Sequence, residues 1–203
     1  MKIIKELYLT KLRDKNTTHS GFRQNTHTIA HIIAQETLSH VPTEKIVVET
    51  PIAKAPGLKL KYPVTLVPIL RAGMSMLEPF LHYYKDARVG VVGLKRDEKT
   101  AIAHLYYENI PPIAEHETVI ILDPMISTGG TGLSTLEILH KRGVKQKNII
   151  FAAIICSTEG LNAIKNEYPD ITILQAGIDE ELNKNKFIVP GLGDFGDRYY
   201  GSE

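Results

Sequence analysis

Five short stretches of this chain are apolar on consecutive positions, and that pattern admits few folds. They are Val64–Leu70 (VTLVPIL), Val89–Leu94 (VGVVGL), Thr118–Leu122 (TVIIL), Asn148–Ile155 (NIIFAAII) and Ile171–Leu174 (ITIL). A strand with one wet face alternates apolar and polar residues, whereas an unbroken β-branched run suits a strand covered on both faces. None of the runs approaches the roughly 18 apolar residues of a membrane span. Between them lie helix candidates at Gly73–Tyr84, Gly132–Arg142 and Glu159–Glu167. The second of these places Leu133, Leu136 and Leu139 on one side and stops at Lys141-Arg142-Gly143, basic residues followed by a C-terminal glycine. Strand and helix in alternation predict an α/β protein, a Rossmann-like parallel sheet flanked by helices.

The flanks read differently. Gly21–Ser39 predicts a helix with Ile29, Ile32 and Ile33 on its apolar side. Lys45–Thr50 and Leu58–Lys61, joined through Pro51 and Pro56-Gly57, predict a β-hairpin arm. Phe187–Glu203, rich in Gly and Asp, fits neither period and reads as an ordered loop or cap. With no repeat or low-complexity linker, the 203 residues form one expected domain: 1–61 as N-terminal helix and arm, 62–186 as ligand-binding core, 187–203 as the C-terminal segment. Lys and Arg total 24 against 23 Asp and Glu, a balance that speaks against the basic face of a nucleic-acid binder. A single cysteine, Cys156, forbids an internal disulfide and suits a reducing compartment. The first residues, MKIIKELYLTKLRDK, lack a signal-peptide core, so the expected location is the cytoplasm, away from any membrane.

Polar groups gather just after the runs: Arg71, then Lys95-Arg96, then Asp123, then Ser157-Thr158-Glu159. In an open α/β sheet these carboxyl ends line the ligand crevice. Arg, Arg and Asp on one edge point to a phosphorylated, metal-associated ligand. The strongest motif is Asp123-Pro124-Met125-Ile126-Ser127-Thr128-Gly129-Gly130-Thr131, a buried strand released into a turn of small residues that opens a helix. Such a turn lets successive backbone N–H groups converge on an anion, and the helix N-terminus adds positive potential. Hydroxyls of Ser127, Thr128 and Thr131 add donors, while Asp123 would repel phosphate and is suited to accept from ribose hydroxyls. Gly191–Gly196 satisfies G-x-G-x-x-G but has no following βαβ unit, so it is not a dinucleotide fingerprint. His27 and His31 have the i, i+4 spacing of a zinc pair; with no third ligand evident in sequence they read as a solvated helix face, and no protein ligand to a metal is expected. Cys156 lies inside an apolar run and reads as core.

DPMISTGGT at 123–131 closely resembles the 5-phosphoribosyl-1-pyrophosphate (PRPP) loop of uracil phosphoribosyltransferases. The resemblance extends to VPILRAGMSM at 67–76, LKRDEKT at 94–100 and IVPGLGDFGDRYYG at 188–201, in that family's order and spacing. It is looser over residues 1–61, where Arg13, Thr18, Phe22 and Arg23 fit the pattern. The resemblance implies the type I phosphoribosyltransferase fold and the reaction of uracil with PRPP to give UMP and pyrophosphate in pyrimidine salvage. It further implies a homodimer or higher homo-oligomer, Mg²⁺ bound mainly through PRPP and its pyrophosphate, and a GTP effector for which no stretch of the sequence supplies a motif.

Residue by residue, the resemblance gives Asp123, Arg71 and Arg96 the catalytic roles. It makes Asp123, Pro124, Met125, Ile126, Ser127, Thr128, Gly129, Gly130 and Thr131 the cradle of the 5′-phosphate and ribose. Arg71 and Arg96 meet the pyrophosphate, and Asp194 stands at the base–PRPP junction. Residues 187–203 become a uracil hood, with Ile188, Gly193, Asp194 and Phe195 on the base and Met125 packed against it. The chain departs from the family in the flap after Thr100 (Ala-Ile-Ala-His-Leu-Tyr, where Leu-Glu-Pro is common), at Phe187 for Tyr and at Phe195 for Ala. Two other readings stay open: a phosphoribosyltransferase for a different base, and a non-catalytic PRPP sensor.

Overall fold

The structure is a computed structural model that describes residues 2–96 and 103–202. Two helices open it, α1 (Lys2–Arg13) and α2 (His19–Thr37), followed by β1 (Thr43–Glu49), β2 (Lys54–Leu60), β3 (Val64–Leu70) and α3 (Met74–Tyr83). The middle of the chain forms β4 (Arg88–Val89), β5 (Val91–Arg96), β6 (Ala103–Asn109), β7 (Thr118–Leu122), β8 (Met125–Ile126) and α4 (Gly130–Lys141). The remainder forms β9 (Ile149–Ala152), β10 (Ile155–Ser157), α5 (Thr158–Glu167), β11 (Thr172–Leu174), β12 (Gly177–Asp179), β13 (Glu181–Leu182), β14 (Ile188–Val189) and α6 (Phe195–Tyr200).

Among the described residues the main sheet has seven strands in the order β11-β9-β7-β3-β5-β6, with β4 also paired to β3. All pairings are parallel except β5 with β6. The apolar runs explain this for β3, β7 and β9, which are buried almost throughout with a partner layer on each side. Leu66, Ile120, Leu122 and Ile150 pack with Phe22, Ile29, Ile33, Met76 and Phe80 of α2 and α3. Val67, Val119, Ile121 and Phe151 pack with Leu136, Leu139 and Ile164 of α4 and α5. Among the described residues no helix is long and apolar enough to cross a membrane.

Several expectations need correction. Asn148–Ile155 is not one strand: Ala153 donates to Leu174 O and Ile154 to Pro124 O, so the run leaves the main sheet and continues as β10 in a small sheet ordered β12-β10-β8. Residues 187–203 do contain regular structure, β14 and α6. The hairpin arm exists, but Pro56 and Gly57 pair with Val47 and Ile46 inside it, and Thr50–Ala53 makes the turn. A proline is tolerated there because a two-stranded ribbon leaves one edge of each strand unpaired. Pro68 sits in the central strand where β4 gives way to β5, the Gly90 N–H bonding to Leu66 O at 2.9 Å.

The amino-terminal edge of the sheet is locked by one buried carboxylate. Glu117 is fully buried and accepts hydrogen bonds from Thr65, from Arg88 and, at 3.0 Å, from the Ala114 N–H. Burial pushes the Glu117 carboxyl up, but Arg88, Thr65 and Ala114 outweigh it and hold it below the usual carboxylate range. That contribution to stability is present above the unfolded pKa and is lost as pH falls through the folded one. In Arg88→Leu burial dominates instead, so the carboxyl rises and its penalty exists only while it is ionised. The variant is expected to lose about 2–3 kcal/mol near neutral pH, less than a fully buried pair because Arg88 faces solvent. Urea unfolding should show the gap to the parent protein narrowing toward about pH 4. A gap independent of pH would contradict the assignment.

Candidate active site

At the opposite edge, β7 ends in a loop fixed from both sides. Asp123 N–H donates to Ala152 O at 3.2 Å, and Pro124 O accepts from Ile154 and Ile155 N–H at 3.0 Å each. Met125 and Ile126 pair with β10. The chain then turns through Ser127-Thr128-Gly129 into α4, Gly129 having φ +82°, a conformation that favours glycine. The first amides of α4 have no carbonyl one turn back, and no acidic residue stands in that turn to take them up. They face an open cleft of about 230 Å³ lined by Asp123, Met125 and residues 126–132, with Asn185, Lys186, Phe187, Gly193 and Asp194 across from them. A positive helix end, convergent N–H groups and hydroxyls are the chemistry that suits an anion.

Asp123 sits half-buried at the mouth of the loop. Burial pushes its carboxyl up to about 7, opposed by the Met125 N–H, which donates to Oδ1 at 3.3 Å. It can therefore change charge near neutrality, and its oxygens are suited to hydroxyl donors. Cys156 is fully buried and its thiol is raised by burial and then by Asp123, so it is no nucleophile.

The wall opposite the loop is built by the C-terminal segment. Asn183 Oδ1 accepts from Asn185 and Phe187 N–H at 2.9 and 3.0 Å, closing a tight turn between β13 and β14. Ser127 Oγ donates to Lys186 O, tying that turn to the loop. Arg13 forks onto both oxygens of Asp179 at 2.7 Å and also donates to Gly191 O at 2.7 Å. Gly191 N–H donates to the same carboxylate at 2.8 Å. Burial raises Asp179, yet Arg13 and Gly191 hold it below the usual carboxylate range. Helix α1 thereby anchors the segment 188–193, and Asp194 caps α6 by accepting from Asp197 N–H at 2.9 Å.

Of the residues singled out in sequence, Asp123, Met125, Ile126, Ser127, Thr128, Gly129, Gly130, Thr131, Gly193 and Asp194 line one cleft. Others stand elsewhere. Pro124 is buried beneath the loop, and Ile188 and Phe195 are core residues only 4% and 2% exposed. The Phe195 ring meets Phe22 edge-on at 5.2 Å, because an aromatic following the cap of α6 is drawn onto α2. Arg71 is exposed in the turn between β3 and α3; its guanidinium lies over the Tyr200 ring at 5.5 Å and 3.4 Å from Ser202 Oγ, not on the cleft wall. The Gly73 that follows has no room for a side chain, since a Cβ would lie 2.2 Å from Leu122 O. The backbone of Arg96 ends β5; its side chain and the flap residues 97–102 lie outside the described residues. Sequence reasoning missed Asn185 and Lys186. The signal available was the polar Asn183–Lys186 run, a turn composition beside the segment already singled out.

Residues 2–202 match the family model described as Uracil phosphoribosyltransferase. Relatives of that name from Dictyoglomus turgidum and Limosilactobacillus reuteri are 42% and 39% identical over 196 residues, covering 96% of this chain and 94% and 93% of theirs. One from Mycoplasma genitalium is 42% identical over 195 residues, covering 96% of this chain and 94% of its own. Among solved structures, the AQ2163 protein from Aquifex aeolicus matches with a TM-score of 0.91 and 32% identity, covering 98% of this chain and 95% of that one. An APRTase from Giardia lamblia complexed with 9-deazaadenine matches with a TM-score of 0.52 and 13% identity over 76% of this chain and 81% of that one, a likeness of fold alone.

Proposed function

This chain belongs to the uracil phosphoribosyltransferase family, and on that premise we propose how its residues transfer the 5-phosphoribosyl group of PRPP to uracil, giving UMP and pyrophosphate. The fold is that of the type I phosphoribosyltransferases. The observation that carries the assignment of roles is the single cleft in which the 126–132 loop, Asp123 and the 185–194 wall meet.

The 5′-phosphate occupies the amides of residues 128–131, assisted by the Thr128 and Thr131 hydroxyls. Charge-assisted bonds of about 1.5–3 kcal/mol each suffice to hold the sugar by that end. Ionised Asp123 accepts from the ribose hydroxyls. Backbone groups of Gly193 read the edge of uracil, with Phe187 and Met125 against its face and Asp194 at the junction with the sugar; Ile188 and Phe195 support this wall from the core. Transfer breaks the C1′–O bond and forms the bond from C1′ to N1 of uracil, which loses its proton. Positive charge builds on the sugar and negative charge on departing pyrophosphate. Arg71, released from its weak contact with Ser202, and Arg96 stabilise the latter. A purine in place of uracil needs a wider pocket, and cytosine sets its amino group against a donor meant for a carbonyl oxygen.

The donor set fits Mg²⁺ as a companion of the substrate. Asp123 is a lone carboxylate followed by Pro124, too few oxygens for a protein cage, whereas Mg²⁺ favours substrate phosphates and water with one or two carboxylates. When bound, the ion supplies charge neutralisation of the diphosphate.

A homodimer or larger assembly is supported by the β1–β2 arm, where Val47, Leu58 and Ile52 are 71%, 69% and 96% exposed. Sedimentation should give at least twice the chain mass; a monomer at all concentrations contradicts it.

With uracil, PRPP and Mg²⁺ the protein should form UMP, and the same assay run with and without GTP tests the effector. Absence of UMP at any enzyme concentration would overturn the reading. Asp123→Asn should lower turnover at least about tenfold, the equivalent of ~1.4 kcal/mol. Because the carboxyl must be ionised to accept from ribose, kcat/KM for PRPP should fall as pH drops below about 7 in the parent protein. The variant should lack that limb, and parent-like rates in it remove Asp123 from the mechanism.

A further inference from the structure

His27 and His31 find on α3 the partner that their own helix does not supply. His27 Nε2 lies 2.5 Å from Glu78 Oε2, and ligand atoms of His27, His31 and Glu78 all lie within 4.8 Å of one another. The His27 and His31 rings are 4.5 Å apart, centroid to centroid, and His82 brings a third imidazole to 5.2 Å from His31. The spacing is doubly regular: residues 27 and 31 on α2, and 78 and 82 on α3, are each four apart, so each pair shares one helical face. Behind them the two helices are fixed by a fully buried layer that includes Ile29, Ala30, Ile33 and Phe80. Side chains on such a frame can be brought together without moving backbone.

We propose that His27, His31 and Glu78 form a site for a divalent transition metal of the zinc class, with His82 or water in the fourth position, joining α2 to α3. Two imidazoles and a carboxylate are a donor set zinc accepts, at roughly 2.0–2.2 Å per bond. Tetrahedral placement at that radius puts ligand atoms about 3.3 Å apart, within reach of the present cluster by side-chain rotation. Imidazole ligands favour zinc, nickel and copper over magnesium, so the site is chemically separate from the Mg²⁺ that accompanies PRPP. Its consequence would be mechanical. Helix α3 follows the turn that carries Arg71, and α2 supports the hood segment through Phe22 against Phe195, so the metal would stiffen the support of one cleft wall and the base of that turn.

The test uses untagged protein. Titration calorimetry with Zn²⁺ should give one high-affinity ion per chain, unaffected by excess Mg²⁺, and Co²⁺ should give visible d–d absorption of tetrahedral intensity. His31→Asn and, separately, the exposed Glu78→Gln should each weaken binding about tenfold or more, since loss even of outer-shell partners costs 10–100-fold. The parent melting temperature should rise with Zn²⁺ while that of His31→Asn stays flat, and His140→Asn on α4 should behave as the parent. No zinc bound at micromolar concentration, or binding unchanged in both cluster variants, overturns the proposal. UMP formation need not change in any arm, so failure here leaves the assigned reaction standing.

Discussion

The carboxyl end of β7 is pinned to its neighbours, and that fixes where the following loop presents its backbone. Asp123 is tied to β9 through its N–H, and Pro124 gives its carbonyl to two amides at the crossing into β10. Beyond that anchor the loop has small side chains, a left-handed glycine and the unfilled amides of a helix start. Those amides open onto the cleft, where the helix start attracts an anion. The same anchoring buries Asp123 enough to raise its carboxyl to about 7, leaving it responsive to a ligand that brings hydroxyl groups.

The molecule separates stability from chemistry along the strand direction. At the amino edge Glu117 gathers Thr65, Arg88 and Ala114 and is fully buried, so β3, β4 and β7 start in fixed register. At the carboxyl edge the loops carry open polar groups and glycines pressed against backbone. The wall opposite the β7–α4 loop belongs to neither edge. It is hung from α1 by Arg13 and Asp179, a bond between residues 166 apart in sequence, and Arg198 adds to it by donating to Leu192 O at 2.7 Å and Asp14 O at 2.7 Å.

Much of this was legible because burial on both faces leaves a strong imprint. Val64–Leu70 and Thr118–Leu122 match β3 and β7 residue for residue, and the helix candidates between the strands differ from α3, α4 and α5 by a residue or two at the ends. Local composition failed where tertiary pairing decides. The uniform run Asn148–Ile155 carries no mark of its exit from the sheet, which is set by acceptors on Leu174 and Pro124. Segment 188–200 is short and glycine-rich, and takes its order from α1 and α2 rather than from its own propensity. The same holds for the site. Residues 123–131 are contiguous and announce themselves, whereas the Arg13–Asp179 fork and the His27–Glu78 approach join distant stretches that no spacing rule connects.

The most direct measurement is a crystal structure of the protein with UMP. The account requires the 5′-phosphate oxygens within about 2.7–3.2 Å of the N–H groups of residues 128–131, with the base beneath residues 187–194. A nucleotide bound with its phosphate away from the β7–α4 loop, or its base outside that wall, would contradict it.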